Sequence, residues 1–414
     1  MIRLPAPAWR VCLAALLLPL SLRADPPAGL PALPAAKAKT TLGWCIAMAQ
    51  GNQPRLAAAR ASLASAEKVA EGLEALRAPD LIVPELPFRR EQSALGVGAA
   101  RAALAQAERH AAWAVTRAWL AAGYARSQEK VADGVVERLA ALRDAAKQQL
   151  DDGARDVSAN DVDRATVYLN LAETRRTEAR QGVKRALASL REAIGAGPDL
   201  ELDGDAGNVP DAKAEPALDR VLGAALAARE ELVLADSFAQ IVCLESKAQA
   251  TSLRKRMETF AAGADIHAPM VPQESRDGEY RPGALQPEMP ILLVGPKAQR
   301  VERAKALYAR AAAGAAVARN LIALEAEDAF LRWQQAAKQA AQAKEAAEAA
   351  DRLADNLRKD FLAMQKVRAE EVTTAQVTAA TARGQLNEYL YRKASALADL
   401  ERATAGQFCA KLAE

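Results

Sequence analysis

The chain has 414 residues, a formal net charge of +3 at pH 7 and an aromatic fraction of only 4%. Its balanced, interspersed charges give no basic surface for nucleic acid, and its few aromatic side chains cannot fill the cores of two or three ordinary globular domains. Alanine, a small and strongly helix-favouring residue, dominates the apolar fraction, so the composition predicts extended helical bundles.

The N-terminus predicts an export signal. Arg3 and Arg10 precede the apolar run VCLAALLLPLSL, and a signal peptidase could cleave after Ala24. The run has about twelve residues, whereas a membrane-spanning helix needs roughly twenty. We therefore expect a signal peptide at residues 1–24, followed by a proline-rich spacer at residues 25–40.

The first half of the mature chain has a helical pattern with two interruptions. Helical spacing runs from Thr41 to about Arg77, and the stretch Pro79 to Gly98 then interrupts it with three prolines. Long helices are predicted from Ala99 to Leu150 and from Ser158 to Ala193. A linker rich in Gly, Asp and Pro occupies residues 196–216.

The second half repeats this order. A helix starts at Ala217, and a proline-rich passage (Gly263 to Pro296) contains the strand-like run Ile291-Leu292-Leu293-Val294. Two more helices are predicted, from Lys297 to about Phe361 and from Val367 to Ala405.

The two halves also match residue by residue at a constant offset of 210 through their final helices. Val157 pairs with Val367 and Leu190 with Leu400, and apolar residues recur at coiled-coil spacing up to Ile194. We therefore predict a duplicated unit, with repeats at residues 41–195 and 217–406 and a tail at residues 407–414.

The order, spacing and duplication of several segments resemble the TolC-type family of outer-membrane efflux proteins over essentially the whole mature length. The segments are TLGWCIAMAQGNQPRLAAARASL at Thr41, GARDVSANDVDRA at Gly153, ALDRVLGAALAAREELVLADS at Ala217 and PEMPILLVGPKAQRVERAKALYARA at Pro287. The resemblance implies a mainly α fold, in which duplicated long antiparallel coiled-coil helices form a trimeric α-barrel. It also implies short or vestigial β-segments at the membrane end.

The family resemblance implies a function as well. The chain would be the outer-membrane channel of a tripartite efflux or type I secretion system, a passive conduit for small molecules or proteins. Its partners would be two further copies of itself, a periplasmic adaptor (membrane fusion protein) and an inner-membrane pump, with most of the chain in the periplasm. The alternative is a non-conducting periplasmic coiled-coil protein with a structural or adaptor role.

The two strand-like insertions are short for this family. The stretch from Pro79 to Gly98 is long enough for two membrane-spanning strands but leaves no residues for the turn between them. It also contains Pro84 and Pro87, which cannot donate the backbone hydrogen bonds of a strand. Phe88 and Tyr280 are the only aromatic residues in the two insertions, where interfacial girdles would need more. We expect the membrane barrel to be shortened or absent.

Carried over by position, the resemblance places adaptor contacts at two hairpin tips. A glycine at the first tip, Gly153, can take the left-handed conformation that ends a helix, whereas the second tip has Ala363 at that position. The tip candidates are Asp152, Gly153, Ala154 and Arg155 in the first repeat and Leu362, Ala363 and Met364 in the second.

An acid follows each tip at the same spacing, Asp161 in the first repeat and Glu371 in the second. In a trimer these positions would form carboxylate rings at the narrow end of the tunnel, and such rings favour cations. The alternative is that both are ordinary solvent-exposed acids on a helix surface, without a role in a pore.

The sequence favours no enzyme, metal site or cofactor. His110 and His267 are the only histidines, neither has a metal-ligand companion, and phosphate-loop and hydrolase motifs are missing. Trp113, Trp119 and Tyr124 are predicted to be packing residues near the membrane-proximal helix ends. Cys45, Cys243 and Cys409 are compatible with two alternatives, one disulfide bond or three free thiols.

Overall fold

A computed structural model of the chain describes residues 40–77, 83–153, 157–202, 216–252, 256–258, 292–294, 296–363 and 367–406. All of these residues belong to one compact unit, Ala35–Glu414. The elements within these ranges are α1 (Leu42–Asn52), α2 (Pro54–Ala75), α3 (Leu86–Asp151), α4 (Ala159–Ala193), α5 (Leu218–Ala228), α6 (Glu230–Thr251), β1 (Arg256–Glu258), β2 (Leu292–Val294), α7 (Lys297–Leu362) and α8 (Ala369–Ala403).

The helices form two sets with identical lengths. Helices α1 to α4 have 11, 22, 66 and 35 residues, and helices α5 to α8 have 11, 22, 66 and 35 residues in the same order. The mainly α, duplicated fold predicted from the sequence is therefore confirmed.

Helix α3 lies at the centre of the packing. It pairs with α4 and with α2 from its own repeat, and it also contacts α6 and α8 from the second repeat. Helix α7 pairs with α8 and α6. The order of neighbours is therefore α4, α3, α8, α7 toward the hairpin tips and α2, α3, α6, α7 toward the other end. Helices α2 and α4 form one edge of this arrangement, and α7 forms the other.

The coiled-coil seams are built largely from alanine. On α7, Ala340, Ala347 and Ala354 recur every seven residues, and each is at most 5% exposed. A seven-residue repeat keeps one face of a helix toward its partner by supercoiling, and the small side chain lets the partner approach closely. Alanine therefore both favours the helix and forms the contact between helices. For this reason a helix of this length can pack with few large side chains.

Two predicted helix boundaries were wrong, and one strand was not predicted. Helix α3 begins at Leu86 rather than near Ala99, because Pro87 sits in its first turn, where its missing N–H costs nothing. The helix predicted from Thr41 to Arg77 is split at Gln53 by Pro54, which begins α2. The strand expected within Ile291 to Val294 is confirmed as β2, but its antiparallel partner β1 was not predicted.

One residue separates the first two helices of each repeat, and its side chain caps the last helix of that repeat. Gln53 Nε2 donates to the carbonyl oxygens of Glu192 (2.8 Å) and Ala193 (2.7 Å) at the end of α4. Arg229 Nη1 donates to the carbonyl oxygen of Ala403 (3.3 Å) at the end of α8. The same cap position is thus used twice, once with a neutral and once with a charged side chain.

The charged cap in the second repeat belongs to a buried ionic network. The Arg229 guanidinium donates to Glu231 Oε1 (2.6 Å) and lies 2.9 Å from Glu325 Oε2, and Arg402 also pairs with Glu325. Burial alone would raise the pKa of Glu231, but the hydrogen bond and the charge of Arg229 hold it below its ordinary value. This contribution to stability is complete at neutral pH and is lost as the pH falls below the ordinary carboxyl range.

Replacing Glu325 by Gln should destabilise the protein strongly. Both guanidiniums would lose a buried counter-charge, and breaking a buried ion pair typically costs about 3–5 kcal/mol. The measurement is chemical unfolding followed by helical circular dichroism.

Glu327→Gln is the matched control, because Glu327 lies two residues away on an exposed part of α7. Equal unfolding midpoints for Glu325→Gln and Glu327→Gln would contradict a stabilising role for the network.

Candidate functional site: the hairpin tips

The first hairpin tip forms where α3 ends. The Asp152 amide N–H donates to the Gln148 carbonyl oxygen (2.9 Å), and the Gly153 amide donates to Leu150 (3.1 Å). Gly153 takes the left-handed conformation predicted for it, with φ of 77°. A side chain at this backbone conformation would be strained, so glycine favours the turn. The other first-tip candidates, Ala154 and Arg155, lie outside the described residues.

The second tip ends differently. Leu362 is the last residue of α7 and is 55% exposed, and Ala363 follows with φ of −81°. Its backbone therefore stays in the ordinary region, as expected for a non-glycine residue. Met364 lies outside the described residues. The two tips are not equivalent in backbone conformation.

Asp161 has a local structural role. Its carboxylate accepts hydrogen bonds from the Ser158 amide N–H (2.9 Å) and the Ser158 hydroxyl (2.7 Å) at the start of α4. The Ser158 hydroxyl is the largest cause that lowers the pKa of Asp161, and Arg164 and Arg368 lower it further. Asp161 therefore caps its helix as an ionised group. The pattern Ser158-x-x-Asp161 is visible in the sequence and could have predicted this cap.

Glu371 occupies the corresponding position of α8 but has no such cap. Arg368 stands at the N-cap, and its carbonyl accepts the Glu371 amide N–H at 3.0 Å. Glu371 is exposed, and within the described ranges no hydrogen bond or ion pair engages its carboxylate. Its charge is therefore available to solvent at the tip.

An ion pair joins the two hairpins just above their tips. Arg164 Nη1 on α4 lies 2.8 Å from Glu370 Oε2 on α8. Asp161, Arg368 and Glu371 also stand at the starts of α4 and α8. Sequence reasoning missed Arg164, Arg368 and Glu370, because the repeat offset pairs them with residues of different chemistry.

An apolar cluster lies beside this ion pair. Leu142 and Ala146 from α3 pack with Phe361 from α7 and Val372 from α8, and all four are at most 5% exposed. Because three helices from two hairpins share this cluster, the tips are held together by packing as well as by charge.

A groove of 580 Å³ opens between α3, α4 and α8 above the tips. Its lining includes Ala172, Ala179 and Ala380, and Arg175 and Glu178 in the lining form an ion pair. Glu178 is the one His, Cys, Asp or Glu in this lining, so the groove holds no cluster of metal ligands.

The residues that might carry chemistry elsewhere are packing residues. The His110 ring lies 5.2 Å from the Trp113 ring, and burial, Arg402 and Arg55 lower the His110 pKa. Trp113, Trp119 and Tyr124 lie in the middle of α3, not near its membrane-proximal end as predicted. The described residues contain no group of three or more His, Cys, Asp or Glu that could hold a metal.

Among the described helices, none combines the length and the apolar composition that crossing a membrane requires.

Comparison with known proteins gives matches at the level of structure. No family model and no curated protein matches the sequence. The outer-membrane channel OprN is similar with a TM-score of 0.69 and 16% identity, covering 92% of this chain and 99% of that one. The outer membrane protein VceC from Vibrio cholerae has a TM-score of 0.68 and 13% identity, covering 89% and 96%.

A third similar structure is the open state of the MtrE outer membrane channel of Neisseria gonorrhoeae. It has a TM-score of 0.67 and 14% identity, covering 89% of both chains. These identities show the fold. The resemblance to the TolC type is thus confirmed at that level, and this chain has the helical fold of outer-membrane channels.

Proposed function

We propose that this protein is the outer-membrane channel component of an efflux or type I secretion system, formed by three copies of the chain. The fold supports this proposal along nearly the full length of the matched channels. The single observation that carries it is that both edges of the helical arrangement expose apolar side chains.

The α7 edge carries an apolar stripe along its length. Val317, Leu324 and Leu331 recur every seven residues and are 38%, 36% and 50% exposed. Leu353, further toward the tip end of α7, is also exposed, at 52%. Spacing of seven residues presents one face to a helical partner.

The opposite edge carries a second stripe. Val69 on α2 and Leu76, the residue that follows α2, are 46% and 50% exposed. Val167 and Leu171 on α4 are 56% and 58% exposed. One chain thus offers two different apolar edges, so the α7 edge of one copy fits the α2 and α4 edge of the next. Such head-to-tail contacts close into a ring when the rotation permits. Burying one such Leu or Val contributes about 1.5–3 kcal/mol.

The remaining parts of the proposal concern the localisation of the chain and its partners. The N-terminal signal would direct the chain out of the cytoplasm, to the outer membrane with most of the helical part in the periplasm. The tips around Gly153 and Ala363 would meet the periplasmic adaptor, which links to an inner-membrane pump. The chain itself would be a passive conduit, without a cofactor.

The constriction would lie at the tips, with Glu371 and Asp161 as candidates. Glu371 is the better candidate, because its carboxylate is exposed. Asp161 already accepts two hydrogen bonds from Ser158. A ring of Glu371 carboxylates from three copies would favour cations.

Leu331→Asp tests self-association. A charge in the seam must be desolvated when copies meet, so the assembly should fall from the mass of three chains to the mass of one. Crosslinking and mass measurement in mild detergent give the readout.

Val233→Asp is the matched control, since Val233 is also 50% exposed but lies on α6, away from both edges. It should stay trimeric. A wild-type protein that is strictly monomeric would contradict the proposal.

Glu371→Gln tests the constriction. Loss of the charge ring should reduce the cation selectivity of single channels in planar bilayers. Asp161→Asn should lower the unfolding free energy by about 1 kcal/mol through its lost cap and change selectivity less.

If the cation selectivity of the channel is unchanged in both variants, neither Glu371 nor Asp161 forms the constriction. Release of the protein by osmotic shock, with no channel activity, would favour the periplasmic scaffold. Extraction from the outer membrane only by detergent favours the channel.

A further inference from the structure

A cluster of arginines lies where α3, α8 and α7 run side by side toward the tips. Arg383 on α8 is bound by Asp351 on α7, with its Nε 2.6 and 2.8 Å from the two carboxylate oxygens. Arg358 lies two turns further along the same face of α7. Arg138 comes from α3, which packs on the other side of α8.

The packing of the helices brings these side chains to one height. Gln128 on α3 donates to the Gly384 carbonyl oxygen on α8 (3.0 Å), which sets Arg138 and Arg383 about 13 Å apart along the helix axes. Helices α3 and α7 run toward the tips, and α8 runs away from them. Helical side chains lean toward the N-terminus of their own helix. Arg138 and Arg358 therefore lean away from the tips, Arg383 leans toward them, and the three guanidiniums converge.

The Arg138 guanidinium has no acid bound to it. A Cβ on Gly134 would lie 3.4 Å from Arg138 Nη1, so the side chain folds back along α3 over a glycine. Within the described ranges no hydrogen bond or ion pair engages this guanidinium. Burial is the main cause that lowers the pKa of Arg138, and the positive charge of Arg383 lowers it further. The charges of Asp351 and Asp355 oppose this shift without cancelling it.

Arg358 is in a similar position. Its Nε is shielded from solvent and has no hydrogen-bond partner in the part of the chain that the structure describes. Asp355 lies three residues earlier on α7, but no ion pair between the two is present there. Asp351 is already engaged by Arg383. The cluster of three arginines and two aspartates thus has one net positive charge and two guanidiniums without a bound acid.

We propose that Arg138, Arg358 and Arg383 form a binding site for the phosphate group of a soluble molecule. A guanidinium presents planar pairs of N–H donors that match phosphate oxygens. A bound phosphate would offset the repulsion between the arginines and give acceptors to donors that lack them. Because the three arginines are partly buried between helices, a small ion fits them better than the surface of a lipid layer does. The site lies within one chain, so it does not depend on the assembly of copies.

Calorimetric titration tests this site. Inorganic phosphate is titrated into the whole detergent-extracted protein in chloride buffer at constant ionic strength, which keeps general charge screening the same throughout. The wild-type protein should bind one phosphate per chain. Arg138→Gln and Arg358→Gln should each weaken this binding about tenfold or more, as the loss of a charge-assisted hydrogen bond predicts.

Arg352→Gln is the matched control, because Arg352 is an exposed arginine of α7 and forms no ion pair within the described ranges. It removes the same charge and should leave the phosphate affinity nearly unchanged. Chemical unfolding gives a second measurement. Phosphate should raise the unfolding midpoint of the wild-type protein but not that of Arg138→Gln. In phosphate-free buffer the midpoint of Arg138→Gln should not fall, since the repulsion from Arg383 is removed.

Three results would overturn the site. The first is equal phosphate affinity in the wild-type protein and in Arg138→Gln or Arg358→Gln. The second is an equal loss of affinity in Arg352→Gln, which would reduce the effect to the net charge of the chain. The third is binding of phosphatidic acid added to the micelles without binding of inorganic phosphate, which would indicate a lipid. The mass of the assembly is measured separately, so each of these results leaves the proposed function standing.

Discussion

The contact of α3 with α6 and α8 determines how the rest of the chain is arranged. It joins the two repeats along most of the length of α3, so the first repeat is covered on one side by the second. The second repeat has no equivalent cover among the described residues. Two uncovered edges follow directly from one duplicated unit, and the proposed assembly of copies rests on these two edges.

The joint between the repeats combines apolar packing with buried charge. Near the middle of α3, Arg402 lies over the Trp113 ring at 5.3 Å and pairs with Glu325. At the end of α3 away from the tips, Arg89 Nη2 donates to Glu245 at 3.1 Å. A buried charge without a partner is costly, so the pair of Arg89 on α3 with Glu245 on α6 favours one arrangement of the two repeats.

Much of the fold could be predicted from the sequence, because alanine-rich helices with a seven-residue repeat leave a periodic pattern. The long helix from Lys297 and the strand at Leu292 were placed correctly. The start of α3 was not, because the prolines between Pro79 and Gly98 predicted an interruption of the helix, whereas proline also suits a first helical turn.

The tips were harder to predict than the helices. Asp161 was singled out for its charge, but its hydrogen bonds to Ser158 give it a capping role that spacing already indicated. The pair of Arg164 with Glu370 depends on how two hairpins meet. Nothing in a periodic pattern fixes such a contact, since the partners are distant in the chain and differ between the repeats.

The central claim is that copies of this chain close side by side around an empty lumen. Electron microscopy of the detergent-extracted protein, viewed along the helix axis, tests it most directly. The account predicts a three-fold ring of helices with an open centre. A solid rod, in which the two repeats of a single chain cover each other and leave no lumen, would contradict it.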